Sequence, residues 1–235
     1  MTNKTAPIAL VTGASGGLGG ALALELTKAG YHVIATGRAV KRLEALDDQA
    51  RAATGARLTL VPLDLSVGEA IDRLGGVIFE RFGRLDALVH CAARAGPATP
   101  VAQIKPTDFE AAMAVNALAT QRLIRAMDPL LRLAPQAEAA FVTCAQARSA
   151  DPFWAPYAAS KAAMEAIVAA YAAERTRSSV RVRLIEPGPL RTQIRRDHMP
   201  GEPPERQIDP AIAARALTAL LAQPRNENEP LLIAI

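Results

Sequence analysis

Within the stretch "TCAQARSADPFWAPYAASK", residues 143–161, Tyr157 and Lys161 stand four residues apart. On a helix that spacing puts both side chains on one face, so a phenol and an ammonium can enter the same cleft. A free phenol has a pKa of about 10 and hardly ionises at neutral pH. A unit charge about 4 Å away, at an effective dielectric of about 20, contributes about 4 kcal/mol. That is about three pKa units, enough to poise the phenol for proton transfer near neutrality. The bland alternative is an aromatic packed on a sheet beside a snorkelling lysine. A proton donor of this kind works best with a second donor that holds the substrate oxygen. Gln146 is the first candidate, because its amide can donate a hydrogen bond, and Ser149 is the second. Cys144 is a weak donor and reads as core.

A second constellation lies at the other end of the chain. "TGASGGLGG", residues 12–20, spaces Gly13, Gly17 and Gly19 as G-x-x-x-G-x-G. Glycine at these places allows a tight turn, a close approach of backbone amides to a pyrophosphate, and packing of a helix on a strand. "ATGR", residues 35–38, ends the next apolar run. An acidic side chain there would accept ribose hydroxyls and select NAD. Gly37 and Arg38 stand there instead, and a guanidinium on a phosphate contributes about 1.5–3 kcal/mol. Arg38 therefore favours NADP(H). Asp64 in "PLDLS" is placed to accept from an adenine amino group or to cap the helix that follows.

These residues need elements that bring them together. Short β-branched runs at 8–12, 32–36, 57–61, 85–90, 139–144, 180–185 and 231–235 alternate with helical patterns at 17–29, 39–53, 67–82, 107–133, 157–176 and 210–222. Gly30 is placed to close the first helix, and Pro156 to open the fifth. Most of the first five strands are apolar on both parities, as parallel strands covered on both faces are. "VRVRLI", 180–185, alternates and is expected nearer a wetter edge. The pattern predicts an α/β fold, a single-domain doubly wound parallel sheet of about seven strands with helices on both faces. Ligands then sit beyond the carboxyl ends of the strands, where both constellations lie. The proline-rich, charged stretch at about 191–209 is expected as a substrate loop or lid within one domain, 1–235. Phe153 and Trp154 are placed either as an apolar substrate wall or as loop packing.

In this order the motifs resemble the short-chain dehydrogenases/reductases: Thr12-Gly13-x-x-x-Gly17-x-Gly19, Asp64, Asn116 in "VNALAT", Tyr157-x-x-x-Lys161 and "PGPLRT", 187–192. The resemblance covers nearly the whole chain. It implies a Rossmann-fold oxidoreductase that moves hydride between NAD(P)(H) and a carbonyl or alcohol, as a homodimer or homotetramer. It assigns the cofactor to Gly13, Ser15, Gly17, Leu18, Gly19, Arg38, Asp64, Leu65, Ala92, Tyr157, Lys161, Pro187, Gly188 and Thr192. Catalysis falls to Tyr157, Lys161 and Asn116, the last supporting a proton-relay water. Three positions depart from the family pattern. "HCAA", 90–93, replaces Asn-Asn-Ala-Gly; Gly16 replaces the basic residue that NADP-preferring members often carry; and the orienting serine is absent, with Gln146 its first substitute.

Bulk properties exclude other classes. The 27 basic and 23 acidic residues, net +4, are interspersed, with no basic run or aromatic interleaving that nucleic acid would require. No apolar run is long enough to span a bilayer and the start carries no secretory signal, so a cytoplasmic, soluble protein is expected. Two cysteines make no disulfide framework, and no His or Cys spacing suits a metal. The expected function is NADP(H)-dependent carbonyl/alcohol oxidoreduction, slowed about 10²–10³-fold if one oxygen-holding donor is truly lost. The alternative is an impaired relative that binds NADP(H) as a sensor or partner protein.

Overall fold

The computed structural model describes residues 6–224, 226 and 229–235. Seven strands, β1 (Ile8–Thr12), β2 (His32–Gly37), β3 (Thr59–Pro62), β4 (Ala87–His90), β5 (Ala137–Val142), β6 (Val180–Glu186) and β7 (Leu232–Ala234), form one sheet in the order β3-β2-β1-β4-β5-β6-β7. Every pairing is parallel. The order runs outward in both directions from the β1–β4 pair, and this reversal opens a crevice at the carboxyl ends of those strands.

Two apolar layers seal the sheet. On one face α1 (Gly17–Lys28), α2 (Val40–Thr54) and α8 (Pro210–Leu221) bury Leu22, Leu26, Leu43 and Leu217 against β1, β2 and β4. On the other, α3 (Gly68–Phe82), α5 (Ala119–Leu131) and α6 (Ala155–Glu174) bury Ile71, Leu123, Met127 and Met164 against Leu10, Leu88 and Phe141. Alternate strand residues feed the two layers, which is why these runs lack polar positions. Gly30 closes α1 as its spacing predicts: at φ +88° it lets Gly30 and Tyr31 donate to the Thr27 and Leu26 carbonyls.

Three elements differ from the sequence expectation. The helix expected over 107–133 is α4 (Pro106–Met113), a five-residue π-turn over Ala114–Leu118, and α5. Asn116 sits in that wide turn. Strand β5 ends at Val142, so Thr143 and Cys144 lie beyond it, at the crevice rather than in the core. Strand β6 is not at a wet edge, because β7 covers it. Its alternating arginines are buried in an ionic cluster: Arg181 reaches Glu138 at 2.7 Å, and Arg183, 1% exposed, reaches Glu138 at 3.0 Å and Glu229 at 2.8 Å. Burial pushes Glu138 upward against the pull of both arginines. Alternation here records buried charge pairing, which a hydropathy pattern cannot tell from exposure.

The segment 191–209 holds a short helix, α7 (Gln193–His198), and a single turn over Pro204–Arg206. Its base is tied by the Leu190–Ile208 bridge and the Arg191–Asp209 ion pair, and its interior by Arg195 to Glu202 at 2.6 Å. Among the described residues no helix is long and apolar enough to cross a membrane, and no group of metal-ligating side chains assembles.

Candidate active site

A cleft of about 410 Å³ opens at the β1–β4 switch point and runs under α7. It is lined by Ser15, Arg38, Asp64, Ala92, Tyr157, Lys161, Pro187 and Thr192 among others, so chain segments more than a hundred residues apart meet there. The volume suits a small ligand held in a largely preformed site.

The glycine turn builds one wall. Gly13, at φ +69°, lies so close to the β4 loop that a Cβ would stand 2.7 Å from the Ala92 Cα. A Cβ on Gly19 would meet the Gly13 carbonyl at 2.4 Å. Gly17 faces Thr192, whose methyl would lie 3.3 Å from an added Cβ. Helix α1 starts here with no side-chain cap on Gly16 and no acid in its first turn. Its first amides and its positive dipole end therefore face the cleft unopposed. Leu18 is buried beneath, and Gly188, at φ +72°, turns the chain on the far rim.

At the β2 end, a Cβ on Gly37 would fall 2.5 Å from the Ser15 Oγ. Any side chain at the position that would carry an acid displaces the glycine turn itself. Arg38 stands exposed at the rim, with Arg42 one helical turn on. Asp64 accepts from the Ser66 backbone at 2.9 Å and from its hydroxyl at 2.7 Å, and it begins the loop leading to α3. Those bonds, with Arg38 and Arg94 nearby, hold its carboxyl below the usual range. Leu65 packs below. At the β4 end, Ala92 donates to the Thr12 hydroxyl at 3.3 Å, and Thr12 meets His90 Nδ1 at 2.7 Å. The substituted "HCAA" loop therefore keeps a defined anchor. Burial lowers His90 to about 3, so its imidazole is neutral, and raises the Cys91 thiol to about 12.

The Tyr157–Lys161 pair is buried on the first turns of α6, at the inner end of the cleft. Lys161 Nζ donates to the Val142 carbonyl at 2.7 Å and lies 6.0 Å from the Tyr157 ring centroid. The phenol is pushed well above its usual value, first by burial and then by Cys144, and burial draws Lys161 downward. Tyr157 is thus held as a neutral O–H, not poised near neutrality.

Cys144, expected in the core, is half-buried and packs against Tyr157, near enough to help push the phenol's pKa up. Gln146 also lines the cleft, but its amide donates to Asp151 at 3.1 Å, and Ser149 donates to the same carboxylate at 3.0 Å. The structure brings the cysteine to the phenol and leaves both other donors on the loop. Asn116 is fully buried. Its carboxamide takes the Arg94 N–H at 2.8 Å and donates to the Arg94 carbonyl at 2.7 Å and to Ser160 Oγ at 2.8 Å, while its own carbonyl accepts from Thr120.

Trp154 is a cleft wall, buried between Tyr157 and His198, whose ring stacks on it at 4.3 Å. Phe153 turns outward at φ +71°. Sequence reasoning missed Arg42 and Arg94. Arg42 carried a signal, four residues after Arg38 on a helix, whereas Arg94 follows a loop whose path the sequence leaves open.

Comparison with known proteins fits this geometry. The family model for short chain dehydrogenase matches residues 7–203. The oxidoreductase YciK of Escherichia coli (strain K12) is 32% identical over 206 residues, 87% of this chain and 81% of its own. An NADPH-dependent pterin aldehyde reductase of Arabidopsis thaliana is 29% identical over 219 residues, 93% of this chain and 89% of its own. Among solved structures, a metagenomic short-chain oxidoreductase in complex with NADP superposes with a TM-score of 0.83 at 28% identity, over 97% of this chain and 96% of that one. With its seven-stranded parallel sheet, its glycine turn and its buried Tyr157–Lys161 pair, the chain belongs to the short-chain dehydrogenase/reductase family.

Proposed function

We propose that the protein is an NADP(H)-dependent oxidoreductase acting on a small carbonyl or alcohol. The observation that carries this reading is the buried Tyr157 phenol, beside Cys144 and Lys161, at the end of a cleft that begins in a glycine cradle. The cradle suits a dinucleotide on three counts. Side chains are sterically excluded at Gly13 and Gly19, the α1 amides are uncapped, and the acid position at Gly37 is closed while Arg38 stands beside it. Gly13, Ser15, Gly17, Leu18 and Gly19 would hold the pyrophosphate, Asp64, Leu65 and Ala92 the adenosine. Arg38 would take the 2′-phosphate, and Pro187, Gly188 and Thr192 the nicotinamide end. The relatives that bind or use NADP(H) support this choice over NAD(H).

The cofactor, when bound, supplies or accepts a hydride at the substrate carbon. This chain's residues manage the oxygen and the proton. Tyr157 donates its O–H to the carbonyl oxygen, and its high pKa keeps that proton in place until negative charge develops there. Lys161 then stabilises the phenolate that remains. Cys144, at the edge of the same space, offers a weak S–H to the same oxygen. Asn116 acts as a positioning residue, locking the 94 loop to α6. The segment 191–209 covers the cleft as a lid, and Trp154 forms its apolar wall.

The test is consumption of NADPH by the purified protein with a panel of aldehydes and ketones, alongside Tyr157→Phe. Turnover that Tyr157→Phe reduces by at least about 10²-fold supports the reading. Tight NADPH binding without turnover of any carbonyl sinks the enzyme and leaves a binding protein.

A further inference from the structure

Arg94 lines the cleft, and a single side chain clamps both polar groups of its backbone. The Asn116 carboxamide grips its N–H and its C=O, and Ser160 of α6 grips Asn116 in turn. The Nε of its guanidinium is buried without a hydrogen-bond partner. A buried guanidinium nitrogen left unpaired is costly, and in a native fold it calls for a reason. Arg195, in the same cleft, is by contrast engaged by Glu202. Arg94 and Arg38 both depress Asp64, so both stand at the nucleotide end. Sheet order places them. Arg38 follows β2, the α1 amino terminus follows β1, and Arg94 follows β4, and these strands are adjacent as β2-β1-β4. The loops that carry Arg38, the α1 amino terminus and Arg94 therefore lie side by side at the carboxyl edge of the sheet, around one cleft.

We infer that Arg94 is a cofactor-binding residue that pairs with the pyrophosphate of the dinucleotide, the anionic part common to NAD(H) and NADP(H). Division of labour follows from position: Arg38 reads the 2′-phosphate, and Arg94 grips what both cofactors share. Asn116 serves this grip by fixing the loop, which ties the nucleotide end to the helix that carries Tyr157.

This inference rests on the dinucleotide reading, and a binding measurement separates the two. Dissociation constants for NADPH and NADH are measured by calorimetry or cofactor fluorescence for the wild type, Arg94→Met and Arg94→Lys. Methionine keeps an unbranched apolar stem, lysine keeps the charge, and thermal unfolding verifies that both variants fold. A wild type that binds neither cofactor overturns the dinucleotide reading itself. With wild-type binding established, Arg94→Met is expected to weaken NADPH and NADH by the same factor, about tenfold. It should also flatten the salt dependence of binding, and Arg94→Lys should recover part of the loss. Unchanged constants, a loss confined to NADPH, or a lysine variant no better than methionine overturns the assignment of Arg94 alone.

Discussion

Replacing Cys144 by serine tests which group holds the substrate oxygen. The backbone there is extended, φ −156° and ψ 160°, which any residue adopts, and the loop is held by main-chain bonds from Thr143 to Ile185 and from Ala147 to Cys144. A serine hydroxyl therefore inherits the place of the thiol beside Tyr157. A thiol is a weak donor, whereas a hydroxyl forms a neutral hydrogen bond with a net contribution of about 1 kcal/mol. A well-placed donor to a developing oxyanion contributes up to about 3–4 kcal/mol. Cys144→Ser should fall between these limits and raise kcat/KM about tenfold with NADPH and the best carbonyl substrate. Cys144→Ala, which removes the thiol, should lower it about fivefold. Gln146→Ala should stay within about twofold, because that amide is turned to Asp151. The assay is steady-state kcat/KM for all three variants on one substrate. A serine variant no faster than wild type, or a Gln146→Ala loss larger than that of Cys144→Ala, refutes the reasoning and returns the oxygen-holding role to Gln146.

Two further outcomes follow from burial. Because the Tyr157 pKa is raised, the protonated phenol persists through the alkaline range, so carbonyl reduction should hold level to about pH 10 while alcohol oxidation climbs with pH; a reductive limb falling with an apparent pKa near 7 would contradict this. Glu138→Gln leaves Arg181 and Arg183 buried with one carboxylate fewer, at a cost of about 3 kcal/mol, or roughly 6–12 °C in Tm by thermal unfolding; a shift under about 2 °C would show that the cluster contributes no net stability.

Much of the fold was legible because its signals are local. Parallel strands covered on both faces read as unbroken apolar runs, and Gly30 marks a helix end through a conformation that other residues resist. The glycine turn was legible for a similar reason: Gly13 and Gly19 are demanded by contacts a Cβ would break, so residue type alone carries the signal. The break in the helix over Ala114–Leu118 was not legible, since nothing in "AVNAL" disfavours an ordinary helical turn. The buried arginines of β6 read as exposed because alternation reports polarity, while Glu138 and Glu229, which neutralise them, come from other parts of the chain.

The sequence by itself determined the family and singled out the glycine turn and the Tyr157–Lys161 pair, because each rests on residue types at short spacings. Tertiary structure alone decided what stands opposite Tyr157, how far Lys161 lies from it, and that Arg94 enters the cleft. Those depend on where β5 stops and on which loop ends meet across the β1–β4 crevice. A one-residue change in a strand end redirects every side chain after it, and no local preference in "TCAQARSADPFW" specifies that end. The loop's path is set by Val142, whose carbonyl holds Lys161, and by Thr143, whose amide bonds to Ile185, more than forty residues away.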